Sequence, residues 1–121
     1  FAKMNSAYSS FWPQGDGAAT TVAPPSRVTV EVAALAGNAT VEIQCTAALN
    51  TTSRTAVGQA TVMPFVPAIV SGDMVYVSGM QGIDMKTKKR VPGGIANETS
   101  QTLANIEATL VKAGSNRGLV G

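Results

Sequence analysis

Arg27 and Glu42 are the two residues whose types and positions let them work together. Arg27 opens an alternating run, Arg27-Val28-Thr29-Val30-Glu31-Val32, and Glu42 lies in a second, Val41-Glu42-Ile43-Gln44-Cys45-Thr46. Alternation places every second side chain on one face of a strand, so each run has an oily face and a polar face. The turn signal Gly37-Asn38 between them predicts an antiparallel hairpin, with Arg27 and Glu42 on adjacent strands and on the same polar face. The two can then converge on one cleft. An arginine's planar fork can hold a carboxylate through two hydrogen bonds and stays charged throughout. A glutamate can act as a base or orient a water. The same placement also suits an ordinary cross-strand ion pair on a solvated face. Spacing alone leaves both readings open.

Absences narrow the chemistry further. Histidine does not occur, and Cys45 is the single cysteine. Ser-His-Asp and Cys-His devices, His-ligated metals, an internal disulfide and a Cys-rich zinc site are thereby excluded. Cys45 sits in an alternating apolar run and is expected to be a small buried hydrophobe. The net charge of +2 is too small to argue for nucleic acid. The basic group Lys86, Lys88, Lys89 and Arg90 reads as a solvated turn. No apolar stretch approaches the ~20 residues of a membrane span. With no charged start leading into an apolar core, the expected location is the cytoplasm, an organelle matrix being the other choice.

At 121 residues, 45% of them hydrophobic and 13% charged, the chain is expected to form one apolar domain spanning 1–121. So few charges suggest a surface partly covered by a partner, often a second copy. Phe1, Met4, Tyr8, Phe11 and Trp12 give a helical stripe that Pro13 ends. Gln14 to Pro25 reads as a loop, and Asn50 to Arg54 as a linker. Further strands are expected around Ala56 to Val62 and from Met74 to Ser78, the latter introduced by Ser71-Gly72-Asp73. A second helix is expected from Asn97 as N-cap, with Thr102, Leu103, Ile106, Leu110 and Val111 facing the core and Gly114 closing it. Arg117 to Gly121 could begin a last strand. Two helices on one face of a mostly antiparallel sheet make an α+β fold.

Several blocks together resemble the RidA/YjgF/UK114 family. Pro25-Ser26-Arg27-Val28 and Val41-Glu42-Ile43 are similar to that family's C-terminal signature, and Phe1-Ala2-Lys3-Met4-Asn5-Ser6-Ala7-Tyr8 to the helix before it. Pro64-Phe65-Val66-Pro67-Ala68, Val75-Tyr76-Val77-Ser78-Gly79-Met80-Gln81-Gly82 and Gln101-Thr102-Leu103-Ala104-Asn105-Ile106 are similar to its N-terminal half. The order is reversed: residues 1–50 resemble the family's second half and 51–121 its first. The expectation is a circular permutation, with termini close together and the break in an exposed loop. A family strand of about 5–6 residues lies between the Gly114-like end and the Phe1-like helix, and only Arg117–Gly121 remain to supply it.

The resemblance implies a chorismate-mutase-like α+β fold, a homotrimer with sites between subunits, and hydrolysis of reactive 2-imino or enamine acids to 2-keto acids and ammonia. It implies no metal or organic cofactor. Arg27 matches the arginine that grips the substrate carboxylate, and Glu42 the glutamate that positions the attacking water. Asn5, Ser78 and Gln81 match positions lining the same cleft. Two departures touch that cleft. Phe65 stands where the family usually has tyrosine, which removes a hydroxyl, and Thr29 stands where a cysteine is frequent. A non-catalytic carboxylate-binding or chaperone-like trimer is the alternative function. The ribonuclease label of some relatives gains little, because no histidine is present and the basic group lacks interleaved aromatics.

Overall fold

The computed structural model describes residues 1–12, 23–49, 54–60, 63–116 and 118. Among them the elements are helix α1 (Ala2–Phe11), a 3-10 turn (Ala36–Asn38), strands β1 (Arg54–Val57), β2 (Ala68–Ser71) and β3 (Met74–Val77), and helix α2 (Gly94–Lys112). The three strands form one antiparallel sheet in the order β1-β2-β3. The class is α+β, as the sequence predicts. Most of the predicted loop Gln14–Pro25, of the linker Asn50–Arg54 and of the terminal strand Arg117–Gly121 lies outside the described residues, and Arg54 belongs to β1.

Local chemistry explains the sheet. Ser71 pairs with Met74 across the two-residue loop Gly72-Asp73. Gly72 takes a φ of 56°, the left-handed conformation that tight hairpin turns demand at their first central position. β1 stops at Val57, short of the predicted Val62, because Gly58 turns the chain with a φ of 79°. β2 was not foreseen. Its Ala68 and Ile69 are both buried, so it shows no alternation to betray it. Val57, Val66, Ala68, Ile69 and Leu110 form the buried apolar core.

Helix α2 packs against β3 and ends as predicted. The Gly114 N–H reaches the Val111 carbonyl and the Ser115 N–H the Leu110 carbonyl, a double bond pattern made possible by Gly114 at φ 82°. Its start differs from expectation. The N-cap is Gly93, and Asn97 sits inside the first turn with its Nδ2 donating to the Pro92 carbonyl at 2.9 Å. The buried side runs through Asn105, Thr109 and Leu110, with Thr102 and Ile106 half-buried, whereas Leu103 and Val111 are exposed. The helix is rotated toward Asn105 because that side chain is tied to the loop before it: its Nδ2 donates to the carbonyls of Gln81 and Ile83, both at 2.9 Å.

The predicted hairpin of Arg27–Val32 with Val41–Thr46 does not form. No backbone hydrogen bond joins the two runs among the described residues, and Val28, Val30, Val32, Val41 and Ile43 are exposed. A lone two-stranded ribbon is marginal without a layer to bury its apolar face. Cys45 is exposed for the same reason, contrary to the buried role expected of it. The chain around Arg27 instead spends its backbone bonds on distant parts of the fold. The Val66 N–H donates to the Pro25 carbonyl at 3.2 Å, and the Gly79 N–H to the Arg27 carbonyl at 3.0 Å. Arg54 Nη2 donates to the Ala23 carbonyl at 2.7 Å.

Candidate functional site

Arg27 is held at every level. Its backbone N–H donates to Ser78 Oγ at 2.9 Å, and that hydroxyl donates in turn to the Val66 carbonyl at 2.5 Å. Ser78 is 4% exposed, so this bridge joins the Arg27 segment to the end of β3 and the start of β2 inside the protein. Helix α1 then supplies the guanidinium's surroundings. Helical spacing puts Met4, Asn5 and Tyr8 on one side of α1. Arg27 Nη2 donates to Asn5 Oδ1 at 2.8 Å, and Nη1 lies 4.0 Å from the Met4 sulfur.

Two aromatic rings complete the seat. The guanidinium carbon lies 4.7 Å from the centre of the Tyr8 ring and 5.0 Å from that of Phe65. Both distances fall within the range where a cation is attracted to a ring face. Tyr8 continues into Trp12 (ring centres 6.1 Å apart), which meets Phe11 edge-on at 5.0 Å. Burial pushes the Tyr8 phenol above its ordinary pKa, opposed by its contact with Trp12 and by the charge of Arg27.

Among the described residues, the guanidinium therefore has rings and a neutral amide around it and no carboxylate. Among the described residues it makes no salt bridge, and its buried Nε has no hydrogen-bond acceptor. A half-buried cation in this condition favours an anion that supplies acceptors, and a carboxylate matches the fork. Among the described residues no group of His, Cys, Asp and Glu side chains is placed to hold a metal.

Of the expected site residues, the structure brings together Arg27, Asn5, Ser78 and Phe65. Ser78 acts through its bridge, with its hydroxyl already committed. Glu42 and Thr29 are exposed, and among the described residues neither is hydrogen-bonded or ion-paired to the Arg27 side chain, because the hairpin that was to carry them beside it is absent. The Gln81 side chain is exposed, and this residue contributes its backbone carbonyl to Asn105 instead. Tyr8 and Met4 were missed as site residues. Their i, i+4 spacing was visible, but it reads equally as a core stripe. A shallow groove lined by Val91, Pro92, Asn97, Ser100, Gln101 and Ala104 lies along α2 and shares no residue with the Arg27 cluster.

Comparison with known proteins places the chain. Residues 55–120 match the family model described as Endoribonuclease L-PSP. A RutC family protein UK114 of Drosophila melanogaster is 44% identical over 54 residues, covering 45% of this chain and 39% of that protein. A 2-iminobutanoate/2-iminopropanoate deaminase of Bos taurus is 38% identical over 60 residues, covering 50% of this chain and 44% of the relative. A RutC family protein of Pyrococcus horikoshii is 41% identical over 51 residues, covering 42% and 40%. The matches thus span well under two thirds of these relatives' lengths. With more than half its residues matched, the chain belongs to the Endoribonuclease L-PSP family, the RidA family its sequence resembles.

Proposed function

We propose that this protein binds the carboxylate of small 2-imino and 2-oxo acids at Arg27 and hydrolyses the imine. Water adds to the imine carbon, the C–N bond breaks, and the 2-keto acid and ammonia leave. The observation that carries the reading is the Arg27 guanidinium itself, seated between Tyr8 and Phe65, tethered by Asn5 and without an acidic partner among the described residues. Arg27 grips the carboxylate, and Asn5 fixes the plane of the fork. Glu42 positions the water. Its exposure suits a side chain delivered by a neighbouring subunit, in a homotrimer with sites between chains. Gln81 and Thr29 line the rim of that cleft. Two relatives of this chain carry the name 2-iminobutanoate/2-iminopropanoate deaminase, at 38% and 37% identity, which supports the substrate class.

The same reading takes residues 1–121 as one domain in permuted order. The family match beginning at residue 55 is compatible with that order. Among the described residues no helix is long and apolar enough to cross a membrane, and a cytoplasmic location is proposed.

A second reading, a carboxylate-binding trimer without turnover, is favoured by one observation: among the described residues no salt bridge joins Glu42 to Arg27. Glu42→Gln separates the two. Under the deaminase reading it abolishes keto-acid release from freshly generated 2-iminobutanoate while 2-oxobutanoate still binds. Unchanged turnover removes the water-positioning role of Glu42. Absence of turnover in the wild type, with binding intact, leaves the binding protein.

A further inference from the structure

The loop between Ile83 and Arg90 holds cations that the described fold does not answer. Those two residues form an antiparallel bridge. Between them the Asp84 N–H donates to the Lys89 carbonyl at 2.9 Å and the Lys88 N–H to the Asp84 carbonyl at 2.8 Å. Asp84 Oδ1 accepts from the Lys86 and Thr87 N–H groups, so the loop's one carboxylate is spent on its own backbone. Lys86, Lys88 and Lys89 are exposed and form no salt bridge among the described residues. Arg90 lies 3.8 Å from a Glu98 oxygen with its side chain 77% exposed, a pair that solvent screens heavily.

Two features separate this loop from an ordinary solvated turn. Lys88 stands at φ 60°, the left-handed conformation that glycine takes without steric cost. A lysine there adds charge against the preference of the backbone, an outlier of the kind that points to function. Beside the lysines, Met85 is 56% exposed. A flexible apolar side chain flanked by ammonium groups suits a surface that is anionic outside and apolar beneath. The lysines meet lipid headgroups, and the methionine passes between them. A nucleic acid fits less well, because residues 83–91 contain no aromatic side chain on which a base could stack.

We propose that residues 84–90 dock this protein reversibly on membrane surfaces rich in anionic lipid. Each lysine close to such a surface raises partitioning about fivefold, and three raise it on the order of a hundredfold. The attraction is screened over about 8 Å at physiological salt, so the association is weak, salt-sensitive and short of permanent anchoring. The loop shares no residue with the Arg27 cluster, which stays free for its own ligand.

Cosedimentation of the full chain with phosphatidylcholine vesicles, with and without phosphatidylserine, tests this at low and at physiological salt. The expected result is binding that requires phosphatidylserine and falls as salt rises. Lys88→Gly relaxes the turn, so it folds at least as well as wild type, yet it should bind about fivefold more weakly. Lys86→Glu combined with Lys89→Glu should weaken binding more than about twentyfold. Met85→Ser should weaken it at unchanged charge. No binding at low salt, or equal binding to both vesicle types, overturns the proposal. So does wild-type binding in Lys88→Gly and in the double variant, or in Met85→Ser, where charge alone would be acting. Tighter binding to an RNA oligonucleotide than to the vesicles, lost in the same variants, overturns it in favour of nucleic acid.

Discussion

A guanidinium packed against two rings and tethered by a neutral amide keeps its full charge for a ligand. Asn5 can orient Arg27 without neutralising it, which a carboxylate in the same place could not do. Arg27→Lys keeps the charge and loses the fork and the ring stacking. Carboxylate affinity, read by calorimetry, is expected to fall at least about tenfold, the loss of one charge-assisted hydrogen bond of about 1.5–3 kcal/mol. Equal affinity would mean that charge alone suffices. Ser78→Ala removes the bridge between the Arg27 N–H and the Val66 carbonyl, leaving two buried groups unsatisfied. A loss of about 1–3 kcal/mol in denaturant unfolding is expected, and a negligible change would show the bridge to be dispensable. At this scale the sequence told part of the story. Arg27, Asn5, Ser78 and Phe65 were found by matching blocks residue by residue. Tyr8 was hidden, since an aromatic on an amphipathic helix looks the same whether it packs in a core or under a cation. Glu42 and Thr29 were matched by the same blocks and set beside Arg27 by alternation, and alternation says which face a residue takes only once the strand has a neighbour.

The elements that hold this cluster depend on a few close approaches. Gly82 lies so near α2 that a Cβ there would sit 2.6 Å from the Glu98 backbone. Gly82→Ala must push the helix away, at an expected cost of about 1–3 kcal/mol; a melting temperature equal to wild type would contradict the contact. Asn105→Leu strands the Gln81 and Ile83 carbonyls and is expected to destabilise by a similar amount. The loop between them and α2 is built on Asp84, whose Oδ1 accepts from the Lys86 and Thr87 N–H groups at 2.7 and 3.0 Å. Those two hydrogen bonds, led by Thr87, lower the Asp84 pKa below the ordinary aspartate value. The sign follows from linkage. A lowered folded-state pKa gives stabilisation that is present above the unfolded-state value and lost as pH falls through the folded-state value. An NMR titration should find the Asp84 carboxyl protonating below the normal aspartate range, with the Lys86 and Thr87 amide shifts moving together. A midpoint at the ordinary value would dissolve this account of the loop. The C-terminal end of α2 and the start of β3 were legible because Gly114 and the turn Ser71-Gly72-Asp73 bound them, whereas the start of α2 at Gly93 was not. β2 was not, because both of its first two residues are buried. The hairpin was over-read because its pattern promised a covering layer that the described residues do not provide.

Across the described residues, the valines from Val28 to Val41 lie exposed and the Arg27 guanidinium stands between two rings and an amide without an acidic partner. Family membership and the α+β class could be read from block matches and composition. The exposure of Val28, Val30 and Val32 could not, because alternation shows which face a residue takes only once a neighbouring strand is in place. The most direct test of the central claim is an NMR titration of the wild-type protein with 2-oxobutanoate, following the Arg27 side-chain N–H and Asn5 side-chain amide resonances. Saturable shifts centred on these two residues, absent in Arg27→Ala, are the predicted result. No shift, or shifts centred on Lys86–Arg90, would contradict the assignment of Arg27 as the carboxylate anchor.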